Sequence, residues 1–505
     1  MKKILLTLLF CSKVLAVGEA GAVFLLIAPG AGAVGTGEAQ VAKADDVYAS
    51  YYNPAGLAYL DGSELGVMHV NWLPNLADDI YYDFLAYRYS LAGIGTVATN
   101  LIYLNLGEQI RTDEEGNSLG TFSSNMWSLS ASFGSQITRR SSMGLGFKVI
   151  QQNLAPEGAG SEGTKGSSTN VLFDLGYLTK LINYDAGGPR WSYDTSYVKI
   201  EKASNDTVVV QDLFVESDYV KIDNSTEELR TSQKQMITDD EGNVRLEEYE
   251  VIIRRKKTGN RNFFTGLNFG LSISNIGPKI WFQDKGQADP APTNMKFGIY
   301  TTLYDDTFNK ISLLADANKL LVARYPAMDW DGDGIISGDN EKAHSDSWYK
   351  AIFTSWLDDW YFGGDYDLNN DLIIGGWNCS GDISEESDGS FKCDGSVDNF
   401  TEDDSGYYAL DADANKVYLE KGSGESRKFK AELQEMIYNL GVEYWYSNIF
   451  VLRAGYIYDY EGKISNPTFG AGLRFAQYGF DFGYTAGEQG HPRSNTMFFS
   501  INIGI

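Results

Sequence analysis

From residue 437 to the end of the chain, two kinds of side chain alternate residue by residue, and this restricts the fold more than any other feature. Tyr438, Leu440, Val442 and Tyr444 fall on one face, and Asn439, Gly441 and Glu443 on the other. Leu452, Ala454 and Tyr456 oppose Val451, Arg453 and Gly455. Phe469, Ala471, Leu473 and Phe475 oppose Gly470, Gly472 and Arg474. Phe480, Phe482 and Tyr484 oppose Asp481, and Met497, Phe499, Ile501 and Ile503 oppose Phe498, Ser500 and Asn502. Period two is the side-chain period of a β-strand. One face is apolar and aromatic throughout, while the other carries glycine, amide and charge. An Arg facing lipid at mid-bilayer costs roughly 2–4 kcal/mol, so Arg453 and Arg474 belong on the inner face. There Glu443, Arg453, Arg474 and Asp481 can neutralise one another in a polar lumen. A soluble β-sandwich also alternates, but the connections at 446–448 and 476–478 are very short and aromatics cluster at strand ends, as at the rim of a barrel.

The pattern recurs upstream. Met143, Leu145, Phe147 and Val149 oppose Gly144, Gly146 and Lys148, and Val171, Phe173, Leu175 and Tyr177 oppose Asp174 and Gly176. Strands are expected at 63–74, 80–92, 94–106, 124–137, 141–153, 168–181, 261–276, 292–304, 309–321, 432–445, 449–459, 466–476, 478–486 and 495–505. The expected fold is all-β: a 14-stranded antiparallel transmembrane β-barrel with an N-terminal hatch, one long periplasmic insertion and one long extracellular insertion. Strands 1–6 fill 63–182, strands 7–9 fill 261–321 and strands 10–14 fill 431–505. Counted from a periplasmic N-terminus, connections after even strands are periplasmic and mostly short, and those after odd strands are extracellular. The insertion 183–260 is then periplasmic, and 322–430 is an acidic extracellular loop. The first holds strand-like runs at 207–210 and 251–253 and the basic run 254–257, read as an appended subdomain, an extended hairpin or a poorly ordered insertion.

A net charge of −27 argues against a nucleic-acid partner, which calls for basic surface. Residues 1–16 read as a signal peptide: Lys2-Lys3, an apolar stretch and a cleavage site near Ala16. The mature segment would begin with a hatch at 17–62, rich in small residues. Within it, Gly30-x-Gly32-x-x-Gly35 imitates a dinucleotide-binding turn, but no βαβ unit follows and the acidic pair Asp45-Asp46 comes too early.

The run 30–58 carries Asn53, Pro54 and Ala55 near its end and resembles the N-terminal signature of FadL-like outer-membrane barrels, nearest their PorV/PorQ branch. The runs 351–356, 432–437, 441–446, 452–456 and 494–498 are similar to the same branch. The resemblance covers both ends and most strands but neither long insertion. It implies that Asn53, Pro54 and Ala55 are hatch residues and that the protein sits in the outer membrane. It also implies work in type IX secretion. Cargo proteins with a C-terminal signal domain would be bound at the translocon and handed to the cell-surface attachment complex. The partners implied are outer-membrane lipid, cargo, and translocon and attachment-complex proteins. The alternative from the same superfamily is a FadL-type channel for hydrophobic small molecules, which needs an apolar pocket under the hatch; the assignable lumen residues are mostly polar.

Two stretches of the acidic loop have the spacing of calcium loops. Asp329, Asp331 and Asp333 stand at positions 1, 3 and 5, Gly334 permits the turn, and Ile335 offers its carbonyl. Asp339 lies beside position 12, where Asn340 replaces the usual Glu, so affinity for Ca²⁺ would be modest. Asp367, Asn369 and Asp371 form a second copy with Leu372 where glycine is wanted; a solvated acidic turn is the other reading of both. Trp348, Ile352, Trp356 and Trp360 at i+4 spacing predict a helix, either packed in this loop's own core or forming a binding ridge. Cys379 and Cys393 are expected to form a disulfide, with two free thiols as the alternative. An enzyme is not expected: the three histidines, His69, His344 and His491, have no paired nucleophile in sequence.

Overall fold

The computed structural model describes residues 20–112, 118–155, 166–183, 191–200, 220–222, 226–238, 241–242, 244–257, 262–282, 288–306, 308–325, 342–358, 383–385, 391–393, 401–403, 406–410, 416–418, 429–487 and 495–505. Fourteen antiparallel strands close into a barrel. They are β1 (Ser63–Asn71), β2 (Tyr81–Leu91), β3 (Gly95–Thr112), β4 (Ser118–Gln136), β5 (Ser141–Ala155), β6 (Gly166–Asn183) and β7 (Phe263–Ile276). The circuit continues through β8 (Asn294–Asp305), β9 (Asn309–Leu320), β10 (Ile437–Tyr446), β11 (Phe450–Asp459), β12 (Ile464–Phe475), β13 (Tyr478–Thr485) and β14 (Thr496–Gly504). It closes where β1 pairs with β14, from Glu64↔Gly504 to His69↔Phe499. Closure leaves no sheet edge, which is what lets a sheet cross a bilayer.

Alternation sets the sidedness. Leu145, Phe173, Leu440, Phe469 and Phe499 are exposed on the outer wall, while Lys148, Asp174, Asn439, Glu443 and Ser500 are buried inside. Two strands run further than their apolar alternation does: β3 continues to Thr112 and β4 starts at Ser118. Most of the added residues, such as Glu108, Gln109 and Arg111, are polar. They extend the hairpin beyond the lipid belt, where hydrogen bonding alone sustains it. β10 starts later than 432, because Lys430–Gln434 folds as a short helix.

The hatch, residues 20–62, lies inside the barrel. It comprises a 3₁₀ turn (Val23–Leu26), α1 (Ala31–Gly35), α2 (Ala49–Tyr52) and a second 3₁₀ segment (Pro54–Tyr59). No helix among the described residues is long and apolar enough to cross a membrane. Described parts of the insertion between β6 and β7 form a four-stranded antiparallel sheet, Trp191–Ile200, Val244–Lys257, Thr226–Thr238 and Val220–Lys221 in spatial order. Two residues of its basic run are paired: Arg254 bonds Glu228 at 2.9 Å and Arg255 bonds Glu227. The strand-like run 207–210 lies outside the described residues.

In the extracellular insertion, α3 (Trp348–Thr354) and α4 (Lys430–Gln434) flank the loop at its roots. Ile352 and Trp356 are half-buried, and Trp360 lies outside the described residues.

Candidate functional site

The hatch is seated on glycine. Gly134, Gly144 and Gly176 stand opposite one another on β4, β5 and β6. A Cβ at Gly144 would lie 2.2 Å from the Pro54 carbonyl carbon, and one at Gly176 would lie 2.2 Å from Asn53 Oδ1. The Gly441↔Gly455 pair receives Thr36 and Gly37 in the same way, and Gly270↔Gly298 receives Val41 and Ala42. These inner-face glycines are thus the contact floor for hatch backbone.

Asn53 is fully buried. Its Oδ1 accepts from Ala55 N at 3.1 Å, capping the Pro54–Tyr59 segment, and Pro54 takes the first position of that segment. Its Nδ2 donates to the carbonyls of Val41 (2.9 Å) and Tyr177 (3.1 Å). One amide therefore ties the hatch's end to its middle and to strand β6. Ala55 is buried, and its carbonyl accepts from Ser142 Oγ at 2.8 Å.

The four inward charges of β10–β13 form one chain. Arg453 Nε donates to Glu443 Oε1 at 2.8 Å, and Arg453 Nη1 donates to Asp481 Oδ1 at 2.7 Å. Arg474 Nη2 meets Asp481 Oδ2 at 2.8 Å. The structure adds a hatch residue that periodicity had no means of supplying: Lys43 Nζ lies 3.0 Å from Glu443 Oε1 and 3.4 Å from Asp45 Oδ1. Signs alternate along Asp45, Lys43, Glu443, Arg453, Asp481 and Arg474, so each charge has a neighbour to balance it. Burial pulls the Lys43 ammonium down, but the carboxylates of Asp45 and Glu443 outweigh it and hold it above its usual range. Asp46 moves the other way. Burial, then repulsion from Asp45 and Glu64, pushes its carboxyl up from 3.8 to about 7. Arg88 and Glu64 pair alongside at 2.8 Å.

All of these groups except Glu443 line a polar cavity of about 400 Å³ at the short-turn end of the barrel, together with Trp445 and Asn502. A second cavity of about 240 Å³ lies on the other side of Lys43 and Asp45, lined by Lys180, Lys310, Asp305 and Tyr300. The hatch tip at 43–46 thus divides one charged mouth in two. Short turns are periplasmic in outer-membrane barrels, so this mouth faces the periplasm.

Further bonds anchor the hatch's middle. Asp316 Oδ2 accepts from Gln40 N at 2.7 Å and Val41 N at 2.9 Å, and Thr468 Oγ1 accepts from Gly37 N at 3.0 Å. Nearer the other end of the wall, Lys148 lies 3.0 Å from Asp174 and donates to Asn275 Oδ1 at 2.8 Å. Lys148 and Asp174 were visible as polar residues on inward positions; their pairing was not.

One sector of the inner wall departs from the polar expectation. Met68 and Val70 of β1, Tyr82 and Phe84 of β2, Ile102 and Leu104 of β3, and Phe498 of β14 are buried inside with Phe24, Leu25, Ile27 and Val34 of the hatch. The hatch supplies the apolar surface that covers these positions, so they need not face water.

The candidate calcium ligands Asp329, Asp331, Asp333, Ile335, Asp339, Asp367, Asn369 and Asp371 lie outside the described residues. So does Cys379, and nothing is described of the Cys393 side chain. Of the histidines, His69 projects from the outer wall and pairs with Asp83 at 2.6 Å, and His344 stacks on Tyr325. His491 lies outside the described residues.

The family described as "Type IX secretion system protein PorV" matches residues 13–217 and 253–327, more than half of the chain. The chain belongs to the PorV family. It is therefore an outer-membrane protein of the type IX secretion system. No curated protein matches it. Among solved structures, it is similar to the toluene transporter TbuX of Ralstonia pickettii, with TM-score 0.38 and 11% identity over 95% of this chain and 97% of that one. It is also similar to the toluene transporter TodX of Pseudomonas putida, with TM-score 0.33 and 13% identity over 90% and 91%. A FadL homologue of Pseudomonas aeruginosa gives TM-score 0.31 and 10% identity over 94% and 98%.

Proposed function

We propose that this member of the PorV family binds secreted proteins through their C-terminal signal domain at the outer-membrane translocon. It then carries them to the cell-surface attachment complex. Family membership is the observation that carries the reading. The packing of the hatch favours it over passive conduction: the apolar inner sector is covered by hatch side chains, and the cavities at the periplasmic mouth are lined by charge. A protein built this way works by binding and hand-over, with no bond made or broken. The extracellular rim and the loop rooted at α3 and α4 are the surfaces available to cargo.

The test is deletion of the gene and complementation with the intact chain. Proteins bearing the signal domain should accumulate in the periplasm of the deletion strain and reach the surface again on complementation. Normal secretion, combined with loss of uptake of a labelled fatty acid or aromatic hydrocarbon, would replace this reading with a FadL-type channel. The calcium loops belong to the same proposal: Ca²⁺ bound at Asp329, Asp331 and Asp333 would stiffen the extracellular loop. EDTA should then speed proteolysis within 322–430 while sparing the barrel, and an unchanged cleavage rate would remove calcium from the account.

A further inference from the structure

On β8, β9 and β10 the outer wall changes character near its long-loop end. Lower down it presents Ile299, Leu313 and Leu440, all exposed as a lipid-facing wall should be. Higher up, β9 presents Ala317 and then Lys319 on the same outward face. Lys319 nevertheless has no exposed side-chain surface. Helices α3 and α4 cover it from outside the barrel. Its ammonium lies 3.0 Å from Glu432 Oε2, contacts Glu435, and sits 5.6 Å from the ring of Trp356. Trp356 also packs edge-on against Phe297, an outward residue of β8, at 6.3 Å. Tyr438, outward on β10, donates to the Leu433 carbonyl at 3.0 Å.

The height of this contact follows from the register. Phe297 pairs with Ala317, and Ala317 with Tyr438; Tyr444, nearer the short turns on β10, pairs with Ile311. From Tyr444 to Tyr438 the wall climbs roughly 16 Å, taking about 3.4 Å per residue and a tilt of about 40°. The apolar belt of such barrels is about 25 Å tall. With Tyr444 at the short-turn edge of that belt, the helices rest against the wall within the upper half of the hydrocarbon, beside the pore and not over it.

Their free faces are apolar. Tyr349, Phe353 and Leu357 follow at i+4 spacing along α3 and the turn after it, with Phe353 74% exposed. Phe429 and Leu433 are exposed at α4. This stripe is distinct from Trp356, which turns toward the barrel. An exposed apolar patch of this kind marks an interaction site, and aromatic side chains on a short helix are the pattern of an interfacial anchor.

We propose that α3 and α4 form a membrane lip, whose apolar face sinks into the outer leaflet and takes lipid acyl chains as its partner. Continuity with the lipid-facing belt identifies the occupant: the stripe begins where Ile299 and Leu440 end. The buried Lys319 cluster holds the lip against the wall, and the roots of the extracellular loop are thereby kept down at the bilayer. The proposal rests on the outer-membrane setting of the family and not on cargo binding.

The experiment places an environment-sensitive fluorescent amino acid at position 353 of the full chain, reconstituted in phosphatidylcholine nanodiscs, with position 349 as a second site. Position 440 serves as the lipid-facing control and exposed position 61 as the water-facing one. Nitroxide on the acyl chains should quench position 353 to within about twofold of position 440, with emission shifted to the blue. Emission as in water, with quenching by aqueous acrylamide at the level of position 61, would overturn the lip. A photo-crosslinker at 353 in native membranes should give adducts of lipid mass. A discrete protein adduct would overturn lipid as the occupant and assign the face to a protein partner.

Discussion

Along β1–β3 the hatch meets the wall with Phe24, Leu25 and Ile27 against Met68, Phe84 and Ile102; along β9–β13 it meets the wall with backbone amides and Lys43 against Asp316, Thr468 and Glu443. The first contact is apolar, non-directional and independent of salt and pH. The second is directional, charged and sensitive to both. An apolar contact alone would let the hatch slide, since dispersion and burial specify no register. The ion chain and paired glycines specify it, because a Cβ or an unpaired charge at those positions is not tolerated. One sector seals the hatch into the lumen, and the other fixes where it sits.

Mutations can break this division, beginning with the largest effect. Gly176→Val puts a branched side chain where even a Cβ would stand 2.2 Å from Asn53 Oδ1. The barrel should fail to assemble around its hatch, seen as loss of the heat-modifiable band on electrophoresis. Arg453→Leu leaves Glu443 and Asp481 buried without their shared cation and should cost about 3–5 kcal/mol in urea unfolding. Phe84→Ala in the apolar sector should cost a similar amount, about 3–5 kcal/mol. The two separate by condition: the Arg453→Leu loss should depend on salt and pH, and the Phe84→Ala loss should not. Asn53→Ala removes a cap and two tethers and should cost about 1–3 kcal/mol.

A smaller effect sharpens the charged side. The folded protein keeps a proton on Asp46 up to about pH 7, whereas the unfolded chain loses it near 3.8. Between these values the folded state binds more protons, so this site's contribution to stability falls as pH rises through the window. Asp46→Asn should remove that slope and raise stability at pH 8 relative to the parent, measured by thermal unfolding at pH 5 and pH 8. The smallest effect belongs to the outer wall: Asp83→Asn breaks the exposed pair with His69 and should change stability by less than about 1 kcal/mol.

The outer half of this fold was legible because lipid imposes a rule on every second residue. Leu145, Phe173 and Phe469 had to face out, and Glu443, Arg453, Arg474 and Asp481 had to face in. Strand number and sidedness follow from that rule alone. The inner half obeys no period. Lys43 belongs to a segment without regular structure, and its approach to Glu443 depends on how the hatch folds across four hundred residues of sequence. The same holds for Asn53, where the motif announced a hatch but not the bonds to Val41 and Tyr177. Strands β3 and β4 were read short because their upper parts leave the membrane and stop alternating. Lys319 was hidden for the opposite reason: a charge on the lipid face looks like a mistake in register until α3 and α4 are seen to cover it.

Conductance in planar bilayers tests the central claim most directly, that the lumen is shut by a hatch seated on glycine and locked by charge. The intact protein should insert without opening a pore, and a chain lacking residues 20–60 should conduct as a wide channel. Steady, pore-sized conductance through the intact protein would contradict the account.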